Sequence, residues 1–312
     1  MPGRIIKMSE FSYPTVNGLT KFPVDAFNTS LAAMATTLGL THIFDPAYLV
    51  DGVANDLETT GKMTASSVAA ITGGDGAFNA TIASGSTTLT VTAVTNGNLA
   101  VGQPVVAPGL AAGSYIAALG TGTGGTGTYT LSASATASAS NVPMTAPAMA
   151  QFTVAGNSGI VADFAKTETS FSVLSVIHQT AADLSVAGNK AFVGANQAAF
   201  FMLTNGNNFQ FSVAGTAGAY TVGAGTFLSL LSYNDATKAV SLHNAQGTGI
   251  GSLTASATPA NGGLWRIGNL DTVRPFQGRI GNVIIFNKAL GLPANADARN
   301  ALLALARAKY GL

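Results

Sequence analysis

The side chains capable of chemistry are few and far apart. Cysteine is absent, which removes thiol catalysis, thiolate metal sites and disulfide scaffolds. The histidines are His42, His178 and His243, and the glutamates are Glu10, Glu58 and Glu168. No H-x-x-x-H pair or EF-hand loop is present. Glycosidic hydrolysis needs two carboxyl groups close together, and these glutamates could meet only through the fold. His243 has Asp235 across a predicted hairpin, but no G-x-S-x-G elbow accompanies them. The sequence therefore predicts no catalytic residue, no cofactor and no enzyme activity. Calcium held by scattered Asp and backbone carbonyls is the one metal option left open.

Two sets of residues suit binding instead. Trp265 is the only tryptophan. It is either a stacking platform for a sugar, with His243 and Asn244 as polar partners, or a core aromatic beside Leu264 and Ile267. Residues 265–312 carry seven Lys or Arg against Asp271 and Asp297. That excess is either a solvated face or a surface for an acidic partner, with Arg274 and Arg279 as candidate contacts. Residues 1–30 show no strand or helix period and hold Pro2, Pro14 and Pro23 among aromatics. They read as an extended arm, with Arg4, Lys7, Phe11 and Tyr13 as candidate partner contacts.

The elements that must position these residues are mostly strands. Arg279–Phe286 has the apolar content of a strand buried on both faces, with Ile280, Ile284 and Phe286 expected on one side with Asn282, and Val283 and Ile285 on the other with Gly281. A helix is predicted from about Asn295, with Leu302, Leu303, Leu305, Ala306 and Tyr310 as its apolar stripe and Gly311 after its end. Ser30–Leu40 predicts a short helix capped by Asn28 or Thr29. His42–Val50 predicts a strand ending at an Asp51-Gly52 turn. Phe171–Ile177, Ala198–Leu203, Phe209–Val213 and the hairpin Phe227–Leu242, turning at 234–238, complete an antiparallel series.

From Met63 to Ala162 the only charged residue is Asp75. Within this stretch Thr87–Val94 alternates, with Leu89, Val91 and Ala93 on one face. Val101–Val106, Tyr115–Leu119 and Thr128–Leu131 read as further short strands, and Gly120–Gly127 as a Gly/Thr loop. The expected organisation is an arm (1–30), a sandwich (31–75 and 146–312) and an inserted small β domain (76–145). The fold class is all-β: an antiparallel two-sheet jelly-roll sandwich, with an inserted small β barrel or sandwich and a short C-terminal helix.

Composition narrows the setting. The net charge is +1, and charged residues are 9% of the 312 residues, against about 25% in an average chain. A global case for nucleic acid is absent, and so few charges leave a free monomer poorly protected from association. No apolar run reaches the ~20 residues of a membrane span. The first residues lack the apolar region of a signal peptide, which predicts synthesis in a cytoplasm without classical export.

Phe276, Gly278, Ile280, Val283, Ile285, Phe286, Asn287, Ala289 and Leu290, followed by a Leu-spaced helix and Lys309-Tyr310-Gly311, resemble the end of a concanavalin A-like (laminin G-type) jelly roll. Phe286 stands where that family has Tyr. Leu99-Ala100-Val101-Gly102-Gln103, a Gly/Thr loop and Gly127-Thr128-Tyr129-Thr130-Leu131 resemble an insert of tailed-bacteriophage virion proteins. Together the resemblances imply a bacteriophage virion structural protein. The first expectation is a capsid decoration or head-accessory protein that binds the major capsid protein or other virion proteins as a homo-oligomer such as a trimer. The alternative is a tail-fibre or receptor-binding module for host surface glycan. Neither involves nucleic acid or a membrane.

Overall fold

The computed structural model describes residues 26–50, 53–55, 62–65, 71–72, 75–157, 159–196, 199–270 and 274–312. In chain order these form α1 (Ala26–Leu38), β1 (Leu40–Phe44), a 3-10 turn (Pro46–Tyr48), β2 (Leu49–Val50), β3 (Val53–Asn55), β4 (Lys62–Ala65) and β5 (Ile71–Thr72). Next come β6 (Gly76–Ile82), β7 (Thr88–Asn96), β8 (Ile116–Leu119), β9 (Gly127–Leu131), β10 (Ala139–Ala146), β11 (Met149–Phe152) and β12 (Ile160–Ala165). They are followed by β13 (Phe171–Gln179), α2 (Ala181–Ser185), β14 (Lys190–Asn196), β15 (Phe200–Asn205), β16 (Asn208–Val213) and β17 (Thr216–Thr221). The chain closes with β18 (Gly225–Tyr233), β19 (Ala239–Asn244), β20 (Gly249–Thr254), β21 (Leu264–Ile267), β22 (Gly278–Phe286) and α3 (Ala296–Tyr310).

Two antiparallel sheets make the sandwich. One runs β20-β19-β18-β13-β22-β11-β5, with β1 also on β22. β1 and β11 divide one edge of β22, pairing with Val283–Phe286 and with Gly278–Ile280 respectively. The other sheet runs β17-β16-β15-β14-β21-β12-β4-β3-β2. Inward residues of both, among them Phe171, Val173 and Ile285 from the first and Phe192, Phe200 and Trp265 from the second, form the largest core. Period-2 alternation places them there. The other face of the first sheet is equally apolar: Leu174, Val176, Leu230, Ile284 and Phe286 are covered by Leu31 and Leu38 of α1 and by Leu302, Leu303 and Tyr310 of α3. β13 and β22 lie under both layers, which is why they read as continuous apolar runs. Each fully buried Leu, Ile or Phe contributes about 1.5–3 kcal/mol.

Strands β6–β10 form a separate sheet, ordered β10-β6-β7-β9-β8, around a core of its own that includes Phe78, Leu89, Val91, Tyr129 and Met144. The segment after β7 joins its two edges: Val106 bridges to Thr145 of β10 and Pro104 to Tyr115 beside β8. The sheet is thus curled around its core.

Several local expectations need correction. α1 begins at Ala26, inside the segment assigned to the arm, and Asn28 lies in its first turn with Nδ2 donating to Asp45 Oδ2 at 3.4 Å. The strand expected over His42–Val50 stops at Phe44, because Asp45 Oδ1 accepts from Ala47 N–H at 3.0 Å and Pro46 opens a 3-10 turn. Val101–Val106 is not a strand; Gly102 has φ +82° and only the two isolated bridges form. A bulge at Thr92 exposes Ala93 and turns Val94 toward the insert's core. A second bulge, with Gly281 and Asn282 opposite Val176, puts Ile280 on the face of Val283 and Ile285 rather than with Ile284 and Phe286. The Asp51-Gly52 turn lies outside the described residues.

Candidate functional site

The three histidines lie on different strands, His42 on β1, His178 on β13 and His243 on β19. His178, on β13, is 0% exposed. Its Nδ1 is 3.1 Å from Thr226 Oγ1, and its Nε2 has no partner. The ring of Tyr115 from the insert meets it edge-on at 4.4 Å. Burial, then the charge of Arg279, push its pKa down to about 4 against the pull of Asp183. His243 is buried in the layer under α3, and burial followed by Arg299 lowers its pKa. Asp235 does not serve His243. Its Oδ1 is engaged by Lys238 Nζ at 2.7 Å, Thr258 Oγ1 at 2.8 Å and the Tyr233 hydroxyl at 2.9 Å. Those bonds hold the carboxyl at about 2. Among the described residues no group of three or more His, Cys, Asp and Glu side chains comes together.

The predicted binding residues separate as well. Trp265 is 2% exposed, with Phe200 and Phe171 at ring distances of 5.9 and 6.5 Å. It is a core aromatic and offers no ring face to a sugar. His243 is likewise withdrawn from the surface. Arg274 packs over the ring of Phe201 at 5.7 Å. The guanidinium of Arg279 lies directly against Gly102 of the insert, where a side chain would collide with it. Burial lowers its pKa, opposed by Asp183. This arginine is an internal contact between insert and sandwich, not a free docking charge. Arg4, Lys7, Phe11 and Tyr13 lie outside the described residues.

Asn244 alone among the glycan candidates lines an open cleft. The cleft holds about 390 Å³, within the usual range for small-molecule sites. It forms where the insert meets one end of the sandwich. Ala112 and Gly113 supply the insert's wall, held to the C-terminal turn by a Gly113 N–H to Gly311 carbonyl bond of 2.6 Å. β17 and β18 contribute Tyr220 and Phe227, whose half-buried rings lie nearly parallel, 22° apart, with centroids 6.4 Å apart. The turn after β19 contributes Asn244 and Gln246. Asn244 Oδ1 accepts from the N–H groups of Gln246 and Thr248, both at 3.0 Å. That bonding fixes the amide plane and leaves Nδ2 as a donor. Among the described residues no Asp, Glu, Lys, Arg or His side chain lines the cleft. Sugars are recognised by such a set: ring faces for their C–H surfaces and oriented planar amides for their hydroxyls.

The sequence reading missed Tyr220, Phe227 and Gln246. Alternation marks Tyr220 and Phe227 as strand residues, but only the third dimension brings them beside the 244–248 turn and the insert.

No known family model matches the chain, and no curated relative does. Solved structures match the chain at low identity and low TM-score. The binding domain of botulinum neurotoxin serotype D has a TM-score of 0.38 and 11% identity over 47% of this chain and 40% of that one. For the binding domain of Paraclostridial Mosquitocidal Protein 1 the values are 0.39 and 13%, over 50% and 43%. A leech intramolecular trans-sialidase gives 0.33 and 15%, over 43% and 23%. The chain thus matches less than half the length of each of these neighbours, two of which are named as binding domains.

Proposed function

We propose that this chain is a non-catalytic binding module of a bacteriophage particle, and that it recognises neutral carbohydrate on a host surface through the cleft between insert and sandwich. One observation carries the reading: the nearly parallel Tyr220 and Phe227 rings stand beside the oriented Asn244 amide in an open cleft with no charged side chain among its described residues. A sugar ring packs its apolar face on the aromatic pair, and its hydroxyls exchange hydrogen bonds with Asn244 Nδ2, Gln246 and Thr226. No cofactor is required. The test is a printed glycan array probed with the full chain and with Tyr220→Ala. Wild-type binding to neutral glycans that is clearly weaker in the variant supports the reading, and a blank array for the wild type defeats it.

A second reading is capsid decoration, favoured by the insert's lack of charge: no Asp, Glu, Lys, Arg or His occurs from Gly76 to Ala162. Such a surface resists association poorly and suits burial between subunits of a virion. Residues 1–30 and the cationic segment 265–312 would then contact the major capsid protein, with the chain as a homo-oligomer such as a trimer. Quantitative mass spectrometry of purified virions separates the two. Copy numbers near that of the shell protein favour decoration, whereas a handful per particle favours the tail and glycan recognition.

A further inference from the structure

At the other end of the sandwich lies a second cleft, of about 590 Å³. The pairing of β1 with β22 sets His42 beside Ile285, and the pairing of Ser172 with Phe286 carries the segment before β13 alongside. Thr41, His42, Thr167, Glu168, Thr169 and Asn287 therefore converge on one opening.

The floor is built around a buried carboxylate. The Glu168 side chain is 3% exposed, with Oε1 3.7 Å from His42 Nε2. Oε1 also accepts from Thr41 Oγ1 at 3.3 Å, and Oε2 accepts from Thr167 N–H at 3.1 Å. The His42 ring is stacked on Phe164 with centroids 4.0 Å apart and planes 13° apart, which fixes its orientation. Beneath, Lys166 is fully buried; its Nζ donates to the Glu168 carbonyl and, at 2.9 Å, to Asn261 Oδ1. Thr167, Thr169 and Asn287 stand exposed at the rim.

This arrangement selects by charge and by hydrogen-bonding type. An anion entering the cleft meets the Glu168 carboxylate, and the buried Lys166 ammonium behind it offsets that carboxylate's pull on a cation. A neutral hydroxyl is subject to neither effect. It can donate to the carboxylate and accept from a threonine hydroxyl or the Asn287 amide through the same oxygen. We infer that the Glu168–His42 cleft is a second subsite for the vicinal hydroxyls of a neutral saccharide. The inference rests on the carbohydrate reading above but uses a separate set of residues. Phe171 pairs with Tyr233 at one end of β13 and Gln179 with Gly225 at the other. The two clefts thus sit about 25 Å apart along the strand, at ~3.3 Å per residue. On a dense glycan layer the second contact would be intramolecular and would raise avidity without new affinity at either site.

The experiment uses the full chain on an array of mannose-, galactose-, glucose- and N-acetylglucosamine-terminated oligosaccharides together with sialylated ones. Thr169→Val with Asn287→Ala alters only exposed rim residues, and Glu168→Gln removes the charge at constant shape. Tyr220→Ala disables the other cleft. Each variant is checked for wild-type thermal unfolding, and the rim variant keeps the test open if Glu168→Gln does not fold. The expected result is that Tyr220→Ala retains weak binding to neutral glycans, that the rim variant lowers wild-type binding about ten-fold, and that the combined variant binds nothing. Unchanged binding by the rim variant, with all binding lost in Tyr220→Ala, overturns the second subsite and leaves the first standing. Retained binding restricted to sialylated glycans also overturns it, and a wild type that binds no glycan overturns both.

Discussion

The phenol of Tyr310 is bonded twice to Asn282: it donates to Oδ1 and accepts from the backbone N–H, each at 2.8 Å. The pair pins the end of α3 to the bulge in β22. Gly281 is required there because a Cβ would run into the same phenol. Tyr310 is fully buried, and burial raises its pKa. Tyr310→Phe strands both a buried N–H and a buried amide oxygen. The expected cost is about 2–3 kcal/mol, seen as an earlier urea midpoint at unchanged slope. A shift equivalent to less than ~0.5 kcal/mol would show that water or a rearranged amide replaces the phenol.

A buried ion pair joins α3 to Asp45, the residue after β1. Lys309 Nζ lies 3.0 Å from Asp45 Oδ2, with side chains 9% and 1% exposed. Burial alone would raise the Asp45 pKa, but Lys309 and the bonds from Asn282 and Ala47 outweigh it and hold the carboxyl below its ordinary value. Lys309→Met leaves the buried carboxylate without a counter-charge and should cost about 3–5 kcal/mol. Adding Asp45→Asn should recover part of that loss. A double variant as unstable as the sum of the singles would mean the two charges do not support one another.

Acid should weaken the protein through His178. Its folded pKa of about 4 lies below the 6.5 of the free side chain, so between these values the unfolded chain binds a proton that the folded chain does not. Stability is therefore full above pH 6.5, falls as the pH drops from 6.5 to 4, and gains no further loss from this group below. The total is about 3 kcal/mol, at 1.36 kcal/mol per pKa unit. His178→Asn should flatten the stability profile over that window. An unaltered profile in the variant would assign the acid sensitivity elsewhere.

The seat of the insert is testable at Gly102. Its φ of +82° and the Arg279 guanidinium against it both exclude a side chain. Gly102→Ala should cost about 1–3 kcal/mol and increase proteolysis between insert and sandwich. Gly102→Ala with Arg279→Ala should relieve the steric part but not the backbone part. Equal protease resistance of wild type and Gly102→Ala would remove the contact from the docking account.

Much of the fold was legible because strand and helix burial is periodic. Phe209 and Phe211 alternate with their polar neighbours and are buried as expected. The hairpin of β18 and β19 turns at 234–238, and α3 ends at Gly311 in the left-handed conformation. These are local properties, written in spacing, β-branching and turn residues. The side assigned to Ile280 was not legible, since a bulge is a relation to the opposing strand and leaves no mark in the bulged strand's own alternation. Val101–Val106 has the composition of a strand without the partner that would make it one. Trp265 illustrates the limit for sites: its chemistry fits a sugar platform or a core equally, and packing between two sheets decided for the core. Sequence alone determined the sandwich class, the scarcity of charge and the absence of thiol chemistry. Tertiary structure decided which polar groups meet. Tyr220 and Asn244 come together across β18 and the 244–248 turn, and His42 and Glu168 are 126 positions apart in the chain. Such contacts come from strand order and register, which no periodicity within a single segment specifies.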